Sequence, residues 1–172
     1  GMQVLKGMAL FAVAHEYGHH VLEHGVSQSS DETRDHFADE HEADIFARLV
    51  GLKEGMEGDA PNYYSASGAA AVLMLGSLEL VRRAKALLES GSSTPKPRRS
   101  HPPLDERIVV IAGADVQADE QHRATFEDLR ACARGLLEIV WTFIEPTIRS
   151  LHDEGFRPRS GSTDVGAWLP SY

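Results

Sequence analysis

The first stretch of the chain is apolar on all sides. Between Val4 and Ala14, the residues Val4, Leu5, Met8, Leu10, Phe11 and Val13 fall around a 3.6-residue helix rather than along one stripe. That pattern predicts a central helix surrounded by protein. Polarity rises after Glu16, and Gly25 supplies a natural stop. Ser29 with Glu32 three residues on reads as a capping box that opens a second helix, expected to run to about Val50. Gly51 to Pro61, with Gly51, Gly55, Gly58 and Pro61, reads as a mobile loop.

Ser65 or Ser67 can cap a third helix to about Glu89, small and apolar at first, then amphipathic through Glu79, Arg82, Arg83 and Lys85. Ser90 to Ser100 is rich in Ser, Pro, Gly and basic residues, and reads as a flexible segment. Pro102-Pro103 can start another helix, because a proline early in a helix lacks only an N–H that would be unpaired anyway. Val109 to Ala114 continues it in preference to forming a short buried strand. From Asp119 a long helix is expected to about Glu145, with Phe126, Leu129, Leu136, Leu137, Val140, Trp141 and Ile144 as its core side. Pro146 ends or kinks it before a short continuation to Leu151. No strand-like run precedes Val4. The expectation is one mostly α-helical domain over residues 1–156, little or no sheet, and a flexible tail over 157–172.

Composition narrows the function classes. A chain of 172 residues with 42% hydrophobic and 25% charged content can bury one core. The formal net charge of −9 argues against a broad basic surface for nucleic acid or an anionic membrane. Lys96-Pro97-Arg98-Arg99 is too short to change that and reads as a solvated linker. Cys132 is the only cysteine, which excludes an intrachain disulfide. The apolar run Ala66 to Leu78 is interrupted by Ser67, Gly68, Gly76 and Ser77 and falls short of the ~20 residues of a membrane span. With no basic region and cleavage site at the start, a cytoplasmic location is expected.

Candidate chemistry sits in the first helix. His15-Glu16-Tyr17-Gly18-His19 is an H-E-x-x-H motif, and residues four apart lie one above the other on a helix, so both imidazoles can reach one ion. Glu16 projects roughly 100° from His15, close enough to hold a water on the open side of the ion. His20 and His24 form a second i, i+4 pair on the opposite side, a rival metal site or simply a solvated helix end. On the second helix Phe37, Glu40, Asp44 and Ala47 share one face. Two carboxylates on a partly apolar face need a cation. Zinc supplies it, with Glu40 as third ligand and Asp44 accepting the ring N–H of a ligating histidine. Asp35, Asp39 and Glu42 lie on other faces and read as solvated charges; His36 could border the site, and His41 reads as a boundary residue. Tyr63 and Tyr64 read as packing residues rather than oxyanion donors.

The spacing of His15-Glu16-Tyr17-Gly18-His19 and Glu40-His41-Glu42-Ala43-Asp44 resembles the H-E-x-x-H…E-x-x-A-D arrangement of gluzincin metallopeptidases, in particular the HtpX/CAAX prenyl protease family. His101-Pro102-Pro103-Leu104-Asp105-Glu106-Arg107 is similar to the H-P-P-x-x-x-R segment of the same family. The resemblance spans His15 to Ile108. It implies a zincin-like helical metallopeptidase domain in which His15, His19 and Glu40 bind Zn2+, Glu16 is the catalytic base, and Asp44 orients a ligand. It also implies that His101 and Arg107 border the active site, His101 hydrogen-bonding substrate or the developing oxyanion and Arg107 pairing with an acid such as Asp44. On its residues alone His101 reads equally well as an ordinary exposed histidine.

The function expected is zinc-dependent endopeptidase hydrolysis of a peptide or protein substrate. A structural zinc site closes its coordination with four protein ligands, whereas three ligands and a spare glutamate favour catalysis. The alternatives are a non-catalytic or regulatory zincin-like metal-binding domain, and a soluble protease of the toxin or phage-exclusion type.

Overall fold

Six helices and one 3-10 turn make up the regular structure of the computed structural model, which describes residues 1–24, 36–57, 59–97 and 101–158. Among the described residues there is no strand, so the mostly α expectation holds. The helices are α1 Met2–Val21, α2 His36–Met56, α3 Tyr63–Ala66, α4 Ala69–Ser90, α5 Leu104–Gly113 and α6 Glu120–Asp153. The 3-10 turn Ala114–Gln117 joins the last two. The capping box at Ser29 and the tail beyond residue 158 lie outside the described residues.

Small side chains let the helices approach closely. Phe11 and Ala14 of α1, Ala47 of α2, Ala71 and Leu75 of α4 and Ile111 of α5 form one core cluster. Ala69, Val72, Ile108, Ala133 and Leu137 form a second, where α4 and α5 meet α6. A third, Ala66, Ala118 and Phe126, sits under α3 with Leu52 and Met56. Alanine pays no rotamer entropy on burial, and its short reach brings backbones together, which suits the positioning of ligands from two helices.

The structure corrects several boundaries. α1 is not surrounded by protein: it buries Gly7, Phe11, Ala14, His15 and Gly18, while Met2, Leu5, Val13 and Tyr17 are exposed along the other side. Its apolar residues therefore serve one face for packing and leave an apolar outer face. α1 stops at Val21 rather than at Gly25. α2 runs through Gly51 and Gly55 to Met56 instead of yielding to a loop. Those glycines are there for contact with α3, since a Cβ at Gly55 would come 2.5 Å from the backbone N of Ala66. α6 runs unbroken through Pro146. The carbonyl that proline leaves without a helical partner belongs to Thr142, an exposed residue, where water can satisfy it. The buried stripe of α6 is Phe126, Arg130, Ala133, Leu137 and Trp141; Leu136 and Val140, expected in the core, are exposed.

Candidate active site

α1 and α2 pack where Gly18 faces Ala43 and Phe46. A Cβ on Gly18 would stand 3.3 Å from the Ala43 Cα, tighter than ordinary contact, so the glycine inside the motif is what allows this approach. One consequence is that Glu40, a turn before Ala43, reaches across to the imidazoles of α1. Glu40 Oε2 lies 3.5 Å from His15 Nε2 and Glu40 Oε1 3.5 Å from His19 Nε2. The two imidazole Nε2 atoms are 3.2 Å apart. Ligand atoms from all three residues fall within 4.8 Å of one another, and no other such group exists among the described residues.

Three observations fit this trio to a cation. The two Nε2 atoms, 3.2 Å apart, are near enough to share one proton or to turn both lone pairs on one ion. Glu40 Oε2 is buried with no hydrogen-bond partner in the protein. The donor set of two imidazoles and one carboxylate is also a zinc set. Without a metal the cluster holds a proton instead. Burial pushes His15 down, but the carboxylates of Asp44 and Glu40 outweigh it and raise the pKa to about 9. Burial and the neighbouring His15 hold His19 below the ordinary imidazole value. Burial pushes Glu40 up, yet His15, His101 and Arg107 bring it below the usual carboxylate range.

Behind the trio, Asp44 is fully buried. Its Oδ1 lies 3.1 Å from His15 Nδ1, on the side of the ring away from the cluster. Arg107 of α5 donates to Asp44 in a fork, Nε to Oδ2 at 2.7 Å and Nη2 to Oδ1 at 2.6 Å. Burial pushes the Asp44 carboxyl up, but the Arg107 and His15 hydrogen bonds hold it well below the usual carboxylate value. The third Arg107 nitrogen, Nη1, stands 3.5 Å from Glu40 Oε2. The segment ahead of α5, with Pro103 at the helix N-cap, brings His101 Nε2 to 3.6 Å from Glu40 Oε1. His15 and Glu40 of the trio line a cleft of about 370 Å³ together with Glu16, Phe11, Met74, Leu75 and Leu104. A larger hollow of about 760 Å³ shares the walls Glu79, Arg82, His101, Pro102 and Leu104 and leads away toward α6.

The structure thus brings together His15, His19, Glu40, Asp44, His101 and Arg107, with Glu16 on the same cleft. It does not gather His20, which is exposed, or His36, also exposed. Tyr63 packs beside His122 at 6.1 Å between ring centroids, away from the cleft. His24 was paired with His20 by spacing, but α1 ends before it and its ring turns back onto His19, with Nδ1 to Nδ1 at 2.8 Å. Glu42, exposed as expected of a solvated charge, nonetheless lies 3.1 Å from His24 Nε2, and Asp39 lies 3.9 Å from the same atom. No periodicity could have revealed these contacts, because the turn after Val21 sets them.

A second buried charge cluster went unread in the sequence. Arg48, one turn after Asp44, donates to Asp115 Oδ1 at 2.8 Å and lies over the Phe126 ring at 5.7 Å. Arg130 of α6 grips both Asp115 oxygens, at 2.6 and 3.1 Å, and the Ser67 carbonyl at 2.7 Å.

The donors and, but for Met2, helices α1 to α5 lie within the part of the chain that matches a known class of enzyme, the peptidases, and a protein or peptide substrate follows from that class. The family is Peptidase U49; its model matches residues 3–126, and the chain belongs to it. The match supports a peptidase without singling out the HtpX/CAAX prenyl proteases that the motifs resemble. No curated protein and no solved structure matches the chain. No described helix is long and apolar enough to cross a membrane.

Proposed function

We propose that the chain is a zinc-dependent endopeptidase, with His15, His19 and Glu40 holding the ion and Glu16 acting as general base. The observation that carries this reading is the convergence of the three donors, one of them a buried carboxylate oxygen that makes no hydrogen bond, beside a cleft lined by His15, Glu40 and Glu16. Zinc held by His15, His19 and Glu40 would supply Lewis acidity to a scissile carbonyl and to a water beside it. Glu16 takes a proton from that water as it attacks and returns it to the leaving amine. His101, with its Nε2 on the Glu40 side of the cleft, donates to the carbonyl oxygen as negative charge gathers on it. Asp44 holds the His15 ring in the orientation that points Nε2 toward His19 and Glu40, where the ion would be held, and Arg107 holds Asp44.

The test is Glu16→Gln, assayed on unstructured peptides alongside measured zinc content. The variant should keep its zinc and lose hydrolysis by about 10²- to 10⁴-fold, the usual contribution of a positioned general base. Hydrolysis at the wild-type rate would remove Glu16 from the mechanism.

A further inference from the structure

We propose that His24 is a positioning residue for His19, the end of a chain from His19 through His24 to Glu42 that fixes which nitrogen of His19 is free to bind metal. This rests on the reading of His15, His19 and Glu40 as metal ligands. It gives His19 the partner that Asp44 gives His15.

The backbone places His24 there. At the end of α1, Glu23 N–H bonds the His20 carbonyl at 3.2 Å and His24 N–H bonds the His19 carbonyl at 2.9 Å, the paired bonds of a Schellman turn. The turn needs a left-handed residue at Glu23, whose φ of 56° is the only positive value at a non-glycine among the described residues. Glycine is the usual occupant, because a Cβ disfavours that conformation. The reversal swings the His24 ring under His19, where its side chain is only 6% exposed. The two rings meet edge to face, with centroids 5.0 Å apart and planes at 67°.

The proton positions then follow from the donors and acceptors. The carboxylate of Glu42 can only accept, so His24 Nε2, 3.1 Å from it, carries a proton. In a neutral ring that leaves His24 Nδ1 with a lone pair. With His24 neutral, His19 Nδ1, 2.8 Å away, is the donor. A neutral His19 protonated at Nδ1 has its lone pair on Nε2, the atom that faces His15 Nε2 and Glu40. The opposite tautomer would put a proton into the metal site. Because metal-ligating histidines gain both orientation and basicity from an acceptor at the other nitrogen, removing it should weaken the ion.

The experiment measures zinc affinity by competition with a chromophoric chelator for the wild type, His24→Ala and His24→Asn, with far-UV circular dichroism of the metal-free proteins as a folding control. His24→Ala is expected to bind zinc about 10- to 100-fold more weakly. His24→Asn, whose amide oxygen can accept from His19 Nδ1, is expected to recover most of that loss; a merely structural role would not distinguish the two. Long-range ¹⁵N correlation spectra of the zinc-loaded wild type should show His19 protonated at Nδ1. Wild-type affinity in His24→Ala, no recovery in His24→Asn, or a His19 protonated at Nε2 would each overturn the inference. A wild type that binds no zinc would instead remove the metal reading on which it stands, so the two failures are told apart.

Discussion

Two buried charge clusters start from neighbouring turns of α2, one at Asp44 and one at Arg48, and they lead to different ends. Both leave buried atoms without a hydrogen bond: Glu40 Oε2 in the first, Arg48 Nε and Nη1 in the second. An orphaned polar atom therefore does not mark a functional site by itself. What separates the clusters is what the atoms face. Glu40 faces two imidazoles and a cleft of about 370 Å³. Arg48 faces a cavity of about 10 Å³ walled by residues such as Gly51, Gly68 and Ala70, room for a single water at most. The first cluster gathers donors for something that arrives, and the second ties α2, the 3-10 turn and α6 together.

This contrast can be broken at either end. Glu40→Ala should have the largest effect on function: zinc retained after dialysis falls to background and peptide hydrolysis goes with it, while the metal-free protein melts close to the wild type. The fold is spared because the ion pairs of Glu40 are long, 3.5 Å to both His15 and Arg107, and Arg107 and His15 keep Asp44 as their counter-charge. Asp115→Ala should do the reverse. It leaves Arg48 and Arg130 buried beside each other with no counter-charge, which costs about 3–5 kcal/mol in urea denaturation. The fraction that remains folded should bind zinc as the wild type does; a large loss of zinc affinity there would show that the clusters are one coupled unit.

Smaller changes sharpen the comparison. Asp44→Asn keeps the shape but loses the charge behind His15, and zinc affinity should drop about 10- to 100-fold by chelator competition. Gly55→Ala, which touches neither cluster, should destabilise by about 1–3 kcal/mol through overpacking against the α3 backbone. Its zinc affinity should stay unchanged, making it the control for variants that merely loosen the fold.

The parts of the site that were readable in the sequence are those that helix geometry places. The i, i+4 spacing of His15 and His19, the shared face of Glu40 and Asp44, and the rigid start at Pro102-Pro103 each act over one or two turns. Their meeting across α1, α2 and α5 needed only that the helices pack. Spacing pairs His24 with His20; its contact with His19 is hidden because it depends on a left-handed residue at Glu23, where nothing in the side chain announces that conformation. Arg48, Asp115 and Arg130 were missed because they lie on three elements far apart in sequence, and each alone looks like a surface charge. The ends of α2 and α6 were misjudged for a related reason. Gly51, Gly55 and Pro146 break isolated helices, but here packing against α3 requires the glycines and an exposed carbonyl excuses the proline.

The fork from Arg107 to Asp44 does more than fix one imidazole. Arg107 belongs to the helix whose leading segment carries His101 and Pro102, the wall of the cleft, and Asp44 belongs to the helix that carries Glu40. Two short charge-assisted bonds rivet the wall to the ligand helix. A peptide that wedges the cleft wider must therefore drag Glu40 with the wall or shear that rivet, so the width of the groove and the set of the donors are geared to one another.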